Sequence, residues 1–70
     1  MSVRLTLELN RGGEIERLST VMEMPRRGEP IRVDGERYEV ISVVRMIERQ
    51  PQYGNLAGEK EIVVYANSQD

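Results

Sequence analysis

The sequence predicts a small all-β domain of five strands. Three observations indicate this class: apolar and polar residues alternate near the N-terminus, glycine-containing turns separate short apolar segments, and no stretch shows a clear helical period. The chain has 70 residues. A chain this short hides only about 60% of the surface that its unfolded form exposes, so its core is thin. Residues 1–70 are therefore expected to form a single domain.

The clearest strand spans residues 3–9, where valine and leucine alternate with polar side chains. This period of two indicates that one face of the strand is buried and the other is solvated. Gly12 and Gly13 follow, and glycine readily adopts the positive φ that tight hairpin loops require. The chain is expected to turn back at this point.

Residues 15–24 admit two interpretations. Their later half alternates as in a strand, whereas Ile15, Leu18 and Met22 are spaced as on one face of a short helix. A strand with a bulge near Arg17 is favoured, because the preceding turn delivers the chain antiparallel and the Ser-Thr-Val triplet is a poor helix former. A helical turn stays the alternative.

Residues 25–30 are expected to form a connecting loop, because each of the two prolines lacks an N–H donor and restricts the preceding residue. Asp34 and Gly35 then stand between alternating segments at residues 31–33 and 36–40, which predicts a hairpin with a type I′ turn. Four apolar residues of this hairpin should share one face: Ile31, Val33, Tyr38 and Val40.

The strand that continues over residues 37–47 carries apolar side chains on both faces, which is typical of a central, bent or barrel strand. Residues 50–58 are loop by composition, and residues 59–67 contain the last strand. Residues 68–70 are expected to be a frayed tail. Core positions are also expected for Met22, Met24 and Met46, and core or rim positions for Tyr38 and Tyr65.

Five strands in so short a chain protect their edges most simply by curling into an antiparallel open barrel of the SH3-like kind. The alternative is a single twisted antiparallel sheet that is completed by homodimerisation.

The pattern Pro-x-x-Gly-Glu-x-Ile-x-Val-x-Gly-x-x-Tyr-x-Val-x-x-Val over residues 25–43 resembles small bacterial and phage β-proteins, many of which have barrel-like folds. The matching segment covers under a third of the chain. The resemblance implies an SH3-like barrel, and it implies no catalytic residue.

The composition argues against catalysis. The chain has neither Cys nor His, which removes thiolate nucleophiles, the commonest metal ligands and the side chain best suited to proton transfer near neutral pH. Its glutamates are scattered, without the spacing of a metal-binding loop or an obvious acid and base pair. We therefore expect a protein that is not an enzyme, with no catalytic residue, no metal and no cofactor.

A cytoplasmic location is expected. The absence of cysteine fits a reducing compartment. The N-terminus lacks the apolar run of a signal peptide, and the longest apolar run is far below the ~20 residues of a membrane-spanning helix. No membrane association is expected.

The candidate contact residues are four arginines and one tyrosine. Arg26 and Arg27 stand between two prolines, where two guanidinium groups can hold a phosphate or a carboxylate through paired hydrogen bonds. Arg45 and Arg49 would extend the basic patch. Tyr53 lies in the last polar loop, where no packing pattern explains an aromatic side chain. The alternative interpretation is solvated surface charge that nearby glutamates balance.

These features favour a non-catalytic protein-interaction module, a bacterial or phage regulatory or inhibitory protein. It would dock on a larger protein partner through a sheet edge or through residues 50–58. The alternative is a barrel that binds nucleic acid or a nucleotide, with the arginines on phosphates and Tyr53 stacked on a base. The net charge of −2 disfavours this alternative.

Overall fold

The protein is all-β, as the sequence predicts. The computed structural model describes residues 1–50, 52, 54 and 56–69. The five strands are β1 (Ser2–Arg11), β2 (Glu14–Glu23), β3 (Pro30–Val33), β4 (Glu36–Arg49) and β5 (Ala57–Ser68). They form one sheet in the order β2-β1-β5-β4-β3, which curls into an open half-barrel. The described part of the chain contains no helix long and apolar enough to cross a membrane.

The sheet is mixed, so the prediction of a purely antiparallel sheet is wrong. Residues 6–10 of β1 run parallel to residues 63–67 of β5, whereas the other three strand pairs are antiparallel. Side-chain alternation reports which face of a strand is buried, but it does not report which strand lies beside it. The last strand enters the sheet between the first and the fourth, where both of its edges find partners.

β1 and β2 form a long hairpin that two glycines close. Gly12 and Gly13 have φ values of +58° and +95°, and the register runs without a shift from Arg11 and Glu14 to the far ends of the strands. The strand interpretation of this segment is confirmed, but the bulge predicted near Arg17 is wrong. The two-residue turn sets the register, and β1 offers a partner to every residue of β2.

Asp34 and Gly35 close the hairpin of β3 and β4, as predicted. Their φ values of +52° and +82° are both positive, which is the signature of a type I′ turn. β3 is only four residues long. It therefore covers only the first part of β4.

Replacing Gly35 with alanine is expected to lower the free energy of unfolding by about 1 kcal/mol, because alanine is strained at this φ. The space around the position is open, so no steric clash adds to the loss. Asp34→Asn is the matched control and should change stability little, since asparagine tolerates the left-handed conformation. Urea denaturation measures both variants, and equal losses would contradict the type I′ turn.

β4 is the bent strand that its two apolar faces predict. Its register against β5 shifts between Val40 and Ser42, where Ile41 is the extra residue of β4, and a bulge of this kind bends a strand and increases its twist. A second shift, between Met46 and Ile47, leaves Lys60 of β5 as the extra residue. Met46 is 38% exposed, so the prediction that it fills the core is wrong. The other two methionines predicted to lie in the core do pack against it.

The core lies inside the curl of the half-barrel. β2 and β3 add partly buried side chains, because they are the edges of the sheet. The Arg11 guanidinium and the Tyr38 hydroxyl both donate to the Glu36 carboxylate, which links β1 to β4 across β5. The buried apolar cluster consists of Leu5, Leu7, Leu9, Tyr38, Val40, Ile62, Val64 and Ala66.

The C-terminal segment is more ordered than a frayed tail. Ser68 is the last residue of β5 and pairs with Tyr38. The Gln69 N–H donates to the Arg37 carbonyl at 3.0 Å. β4 therefore supplies backbone partners to this segment, which composition alone cannot reveal, while Asp70 lies outside the described residues.

Candidate functional site

One edge of β4 is open beyond Val40. β3 pairs with residues 36–39 only. The loop that precedes β3 adds one more pair of hydrogen bonds to this side of β4. The Gly28 N–H donates to the Val40 carbonyl at 2.7 Å, and the Val40 N–H donates to the Glu29 carbonyl at 3.0 Å. Among the described residues, 41–49 then have a strand partner on one side only, which is β5. This open side of residues 41–49 is called the β4 edge, and such an edge presents unpaired backbone groups to another chain.

The distal half of β4 belongs to a two-stranded ribbon. β1 pairs with β5 only from residue 63 onward, so within the described sheet residues 57–62 pair with β4 alone. The molecule is elongated, with extents of 47, 27 and 18 Å. A two-stranded ribbon is only marginally stable in water by itself. This ribbon therefore depends on the rest of the sheet, and a bound partner would stabilise it.

Exposed apolar side chains follow β4 along this edge. The exposed fractions are 40% for Ile41, 37% for Val44, 38% for Met46 and 66% for Ile47. Val44 pairs with Val63, which is fully buried although it stands outside the core cluster. Alternation places this pair on the outer face of the sheet. By the same alternation Met46 shares this face and Ile47 lies on the opposite one, so exposed apolar side chains stand on both faces beside the open edge.

A groove opens where the chain between β2 and β3 leaves the β4 edge. Its volume is about 690 Å³. Pro25, in its wall, is buried and anchors the loop against the sheet. The groove is lined by Met24, Pro25, Arg26, Arg27, Ile41, Ser42 and Val43, and it is called the arginine groove.

A tight turn holds Arg26 and Arg27 beside this groove. The Glu29 N–H donates to the Arg26 carbonyl at 3.0 Å, and Gly28 has a φ of +87°, as the third residue of a type II turn requires. Both arginines are exposed. Neither guanidinium makes an ion pair or a side-chain hydrogen bond with a described residue. Two unpaired positive charges therefore stand next to an apolar groove and an open strand edge.

The structure does not gather the other predicted contact residues at the groove. Arg45 Nε donates to Glu59 Oε1 at 2.6 Å, and this hydrogen bond raises the pKa of the Arg45 guanidinium. Arg45 is therefore engaged between β4 and β5. Arg49 ends β4, roughly 30 Å along the strand from Val40 at the usual rise per residue. Tyr53 lies outside the described residues.

The apolar residues of the site are not among the contact residues that the sequence predicts. The sequence assigns Ile41, Val43 and Ile47 to a central, bent or barrel strand and singles out none of them as a candidate contact residue. The length of the apolar-rich segment 40–47 could have indicated exposed apolar residues, because a thin core cannot cover both faces of so long a segment. The surplus apolar side chains are those that the structure leaves exposed.

A second cavity, of about 490 Å³, lies where β1 and β5 diverge. Two carboxylates in its wall are already engaged, since Glu61 accepts a hydrogen bond from the Thr6 hydroxyl at 3.4 Å and Glu59 accepts one from Arg45. No group of three or more acidic, His or Cys side chains in the described part of the chain is arranged to hold a metal ion. Arg4 in the same wall makes no ion pair with a described residue, so this cavity has one such cation where the arginine groove has two.

Comparison of the chain with protein-family models, curated proteins and solved structures gave no match. The resemblance to small bacterial and phage β-proteins and the SH3-like assignment therefore stay predictions. The β4 edge and the arginine groove are therefore the features on which a proposed function rests.

Proposed function

We propose that the protein is a non-catalytic protein-interaction module that pairs an extended segment of a larger protein with the β4 edge. The observation that carries this proposal is an unpaired strand edge of residues 41–49 flanked by exposed apolar side chains. In this binding mode, backbone hydrogen bonds contribute affinity and the contacts of alternate side chains contribute specificity. A cytoplasmic regulatory or inhibitory role fits such a module.

β2 is the other long open edge, and charged side chains stand at both of its ends. Four of its ten residues are charged, and natural proteins use charged side chains to keep exposed edges from pairing. The β4 edge begins with the uncharged residues 41–44, and its charges lie at Arg45, Glu48 and Arg49. The first half of the β4 edge therefore lacks this protection, as do residues 18–22 of β2, and the β4 edge differs in adjoining the arginine groove.

The test is a site-specific photo-crosslinker placed at Ile47 in cells of the source organism, followed by binding measurements on the purified crosslinked protein. Ile47→Asp is expected to weaken that binding by roughly tenfold, because it puts a charge into an apolar contact. Val21→Asp on β2 is the matched control, since Val21 is 60% exposed and Ile47 is 66% exposed. The control should bind as the wild type does.

Two results would contradict the proposal. The first is that no protein crosslinks specifically at position 47. The second is that the Ile47→Asp and Val21→Asp variants bind the purified partner equally well.

A barrel that binds nucleic acid is the weaker candidate. Its support is the pair of unpaired arginines, Arg26 and Arg27. Nucleic-acid grooves use several cations along the path of a backbone, whereas here Arg45 is held by Glu59 and Arg49 is distant. Titration with single-stranded RNA and DNA at low salt tests it, and salt-sensitive binding would favour this function over the protein-interaction module.

A further inference from the structure

The arginine groove is continuous with the β4 edge. Ile41, Ser42 and Val43 line the groove and also begin the unpaired part of β4. An extended segment that pairs with β4 therefore enters the groove at this end. The groove and the edge form one surface for a single bound segment.

The charge beside the groove is opposite in sign to that of the whole chain. The net charge is −2, yet Arg26 and Arg27 are adjacent, exposed and without an ion-pair partner among the described residues. Glu29, in the same turn, makes no ion pair with either of them. Because the planar guanidinium fork binds carboxylates through two parallel hydrogen bonds, this pair selects an anionic ligand.

The wall of the groove selects apolar side chains as well. Met24 and Val43 are partly buried against the core, and Ile41 is 40% exposed. Successive side chains of an extended segment point to opposite faces. A segment in which apolar and acidic residues alternate can therefore contact the wall with one set and the arginines with the other.

We propose that the β4 edge and the arginine groove together bind an extended acidic segment of another protein. Its carboxylates pair with Arg26 and Arg27, its apolar side chains pack on Met24, Ile41 and Val43, and its backbone pairs with β4. This inference rests on the proposed function and names the chemical class of the ligand.

The first experiment measures the binding of a blocked ten-residue peptide of alternating valine and glutamate by calorimetry at low ionic strength. The double variant Arg26→Glu with Arg27→Glu is expected to weaken binding by roughly tenfold or more, because it replaces attraction by repulsion. The matched control is Arg32→Glu with Arg37→Glu, an exposed arginine pair on β3 and β4. The control carries the same change of charge and should keep wild-type affinity.

Peptide variants test the sign of the charge and the backbone pairing separately. A peptide of alternating valine and lysine should not bind. Two further peptides carry N-methyl groups on one or the other alternate set of residues, which blocks hydrogen bonding along one edge of the peptide. One of the two should lose binding, and equal binding of both would overturn the backbone pairing.

The outcomes separate this inference from the proposed function. If the double arginine variant binds the valine-glutamate peptide as the wild type does, the acidic ligand is excluded, and the partner crosslinked at Ile47 can still support an interaction module. Preferential binding of short RNA to Arg26 and Arg27 would also overturn the inference. So would light scattering that shows a dimer whose formation buries Ile41 and Val43.

Discussion

Aspartate in place of Val64 is expected to leave most of the chain unfolded at room temperature. Val64 is fully buried within the core cluster, and an unpaired charge at such a position costs several kcal/mol. A chain of 70 residues has a total stability of only about 4 to 10 kcal/mol by the usual value per residue. One substitution therefore removes most or all of the stability. Far-UV circular dichroism and urea denaturation measure the loss.

Val21→Asp is the matched control for this substitution. Val21 is 60% exposed on β2, so its aspartate stays hydrated and the free energy of unfolding should change by about 0.5 kcal/mol or less. A Val64 variant that unfolds at the same urea concentration as the wild type would show that β5 does not bury this side chain in solution.

Leu7→Ala is expected to lower the free energy of unfolding by about 2 to 4 kcal/mol, the range for truncating a large buried side chain. Leu7 is 5% exposed and lies between Leu18 of β2 and Val64 of β5. The loss combines the transfer of apolar atoms with the cavity that remains in the middle of the sheet. Urea denaturation with a common slope for both proteins measures it.

Leu18→Ala is the companion variant, because Leu18 faces Leu7 across the hairpin. Leu18 is only partly buried at the edge of an open half-barrel, so the same truncation should cost roughly half as much. A loss at Leu18 equal to that at Leu7 would indicate that another surface covers the inside of the curl in solution. Repeating the measurement at two protein concentrations shows whether that surface belongs to a second copy.

The open architecture has a direct consequence for function. A closed barrel has no free strand edges, whereas this half-barrel leaves one side of β2 and one side of residues 41–49 of β4 without a strand partner in the described sheet. Charged residues stand at both ends of β2, residues 18–22 of β2 and 41–44 of β4 are uncharged, and only the β4 edge adjoins the arginine groove. The bulge at Ile41 bends β4 where its open edge begins. The same geometry that leaves the core thin therefore provides the edge that we propose for docking.

Features that depend on neighbouring residues were predictable from the sequence. The alternation in residues 3–9, the glycine pair at the first turn and the Asp34-Gly35 turn all appear in the structure where the sequence places them. Each is a local property, because φ preference and the two-residue period act within a few bonds. The bulge predicted near Arg17 of β2 is absent, and the register shifts lie between β4 and β5 instead. The side-chain pattern alone does not show where two strands lose register.

The candidate site was only partly predictable. Arg26 and Arg27 could be singled out, because two arginines between prolines are unusual in themselves. Their environment could not be predicted. Ile41 and Val43 line the groove only because the chain crosses from one edge of the sheet to the other after β2. The sequence also gives no sign that Arg45 contacts Glu59, which is the contact that removes Arg45 from the basic patch.

The sequence by itself determined the all-β class, the turns and the buried faces of the strands, because hydrophobic periodicity and backbone φ preference depend on residues that are close together in the chain. Only the tertiary structure decided the parallel pairing of β1 with β5, the open half-barrel and the unpaired edge of β4. These features depend on which strands lie side by side. That choice is made by packing and backbone pairing between segments far apart in the chain, and no local pattern encodes it.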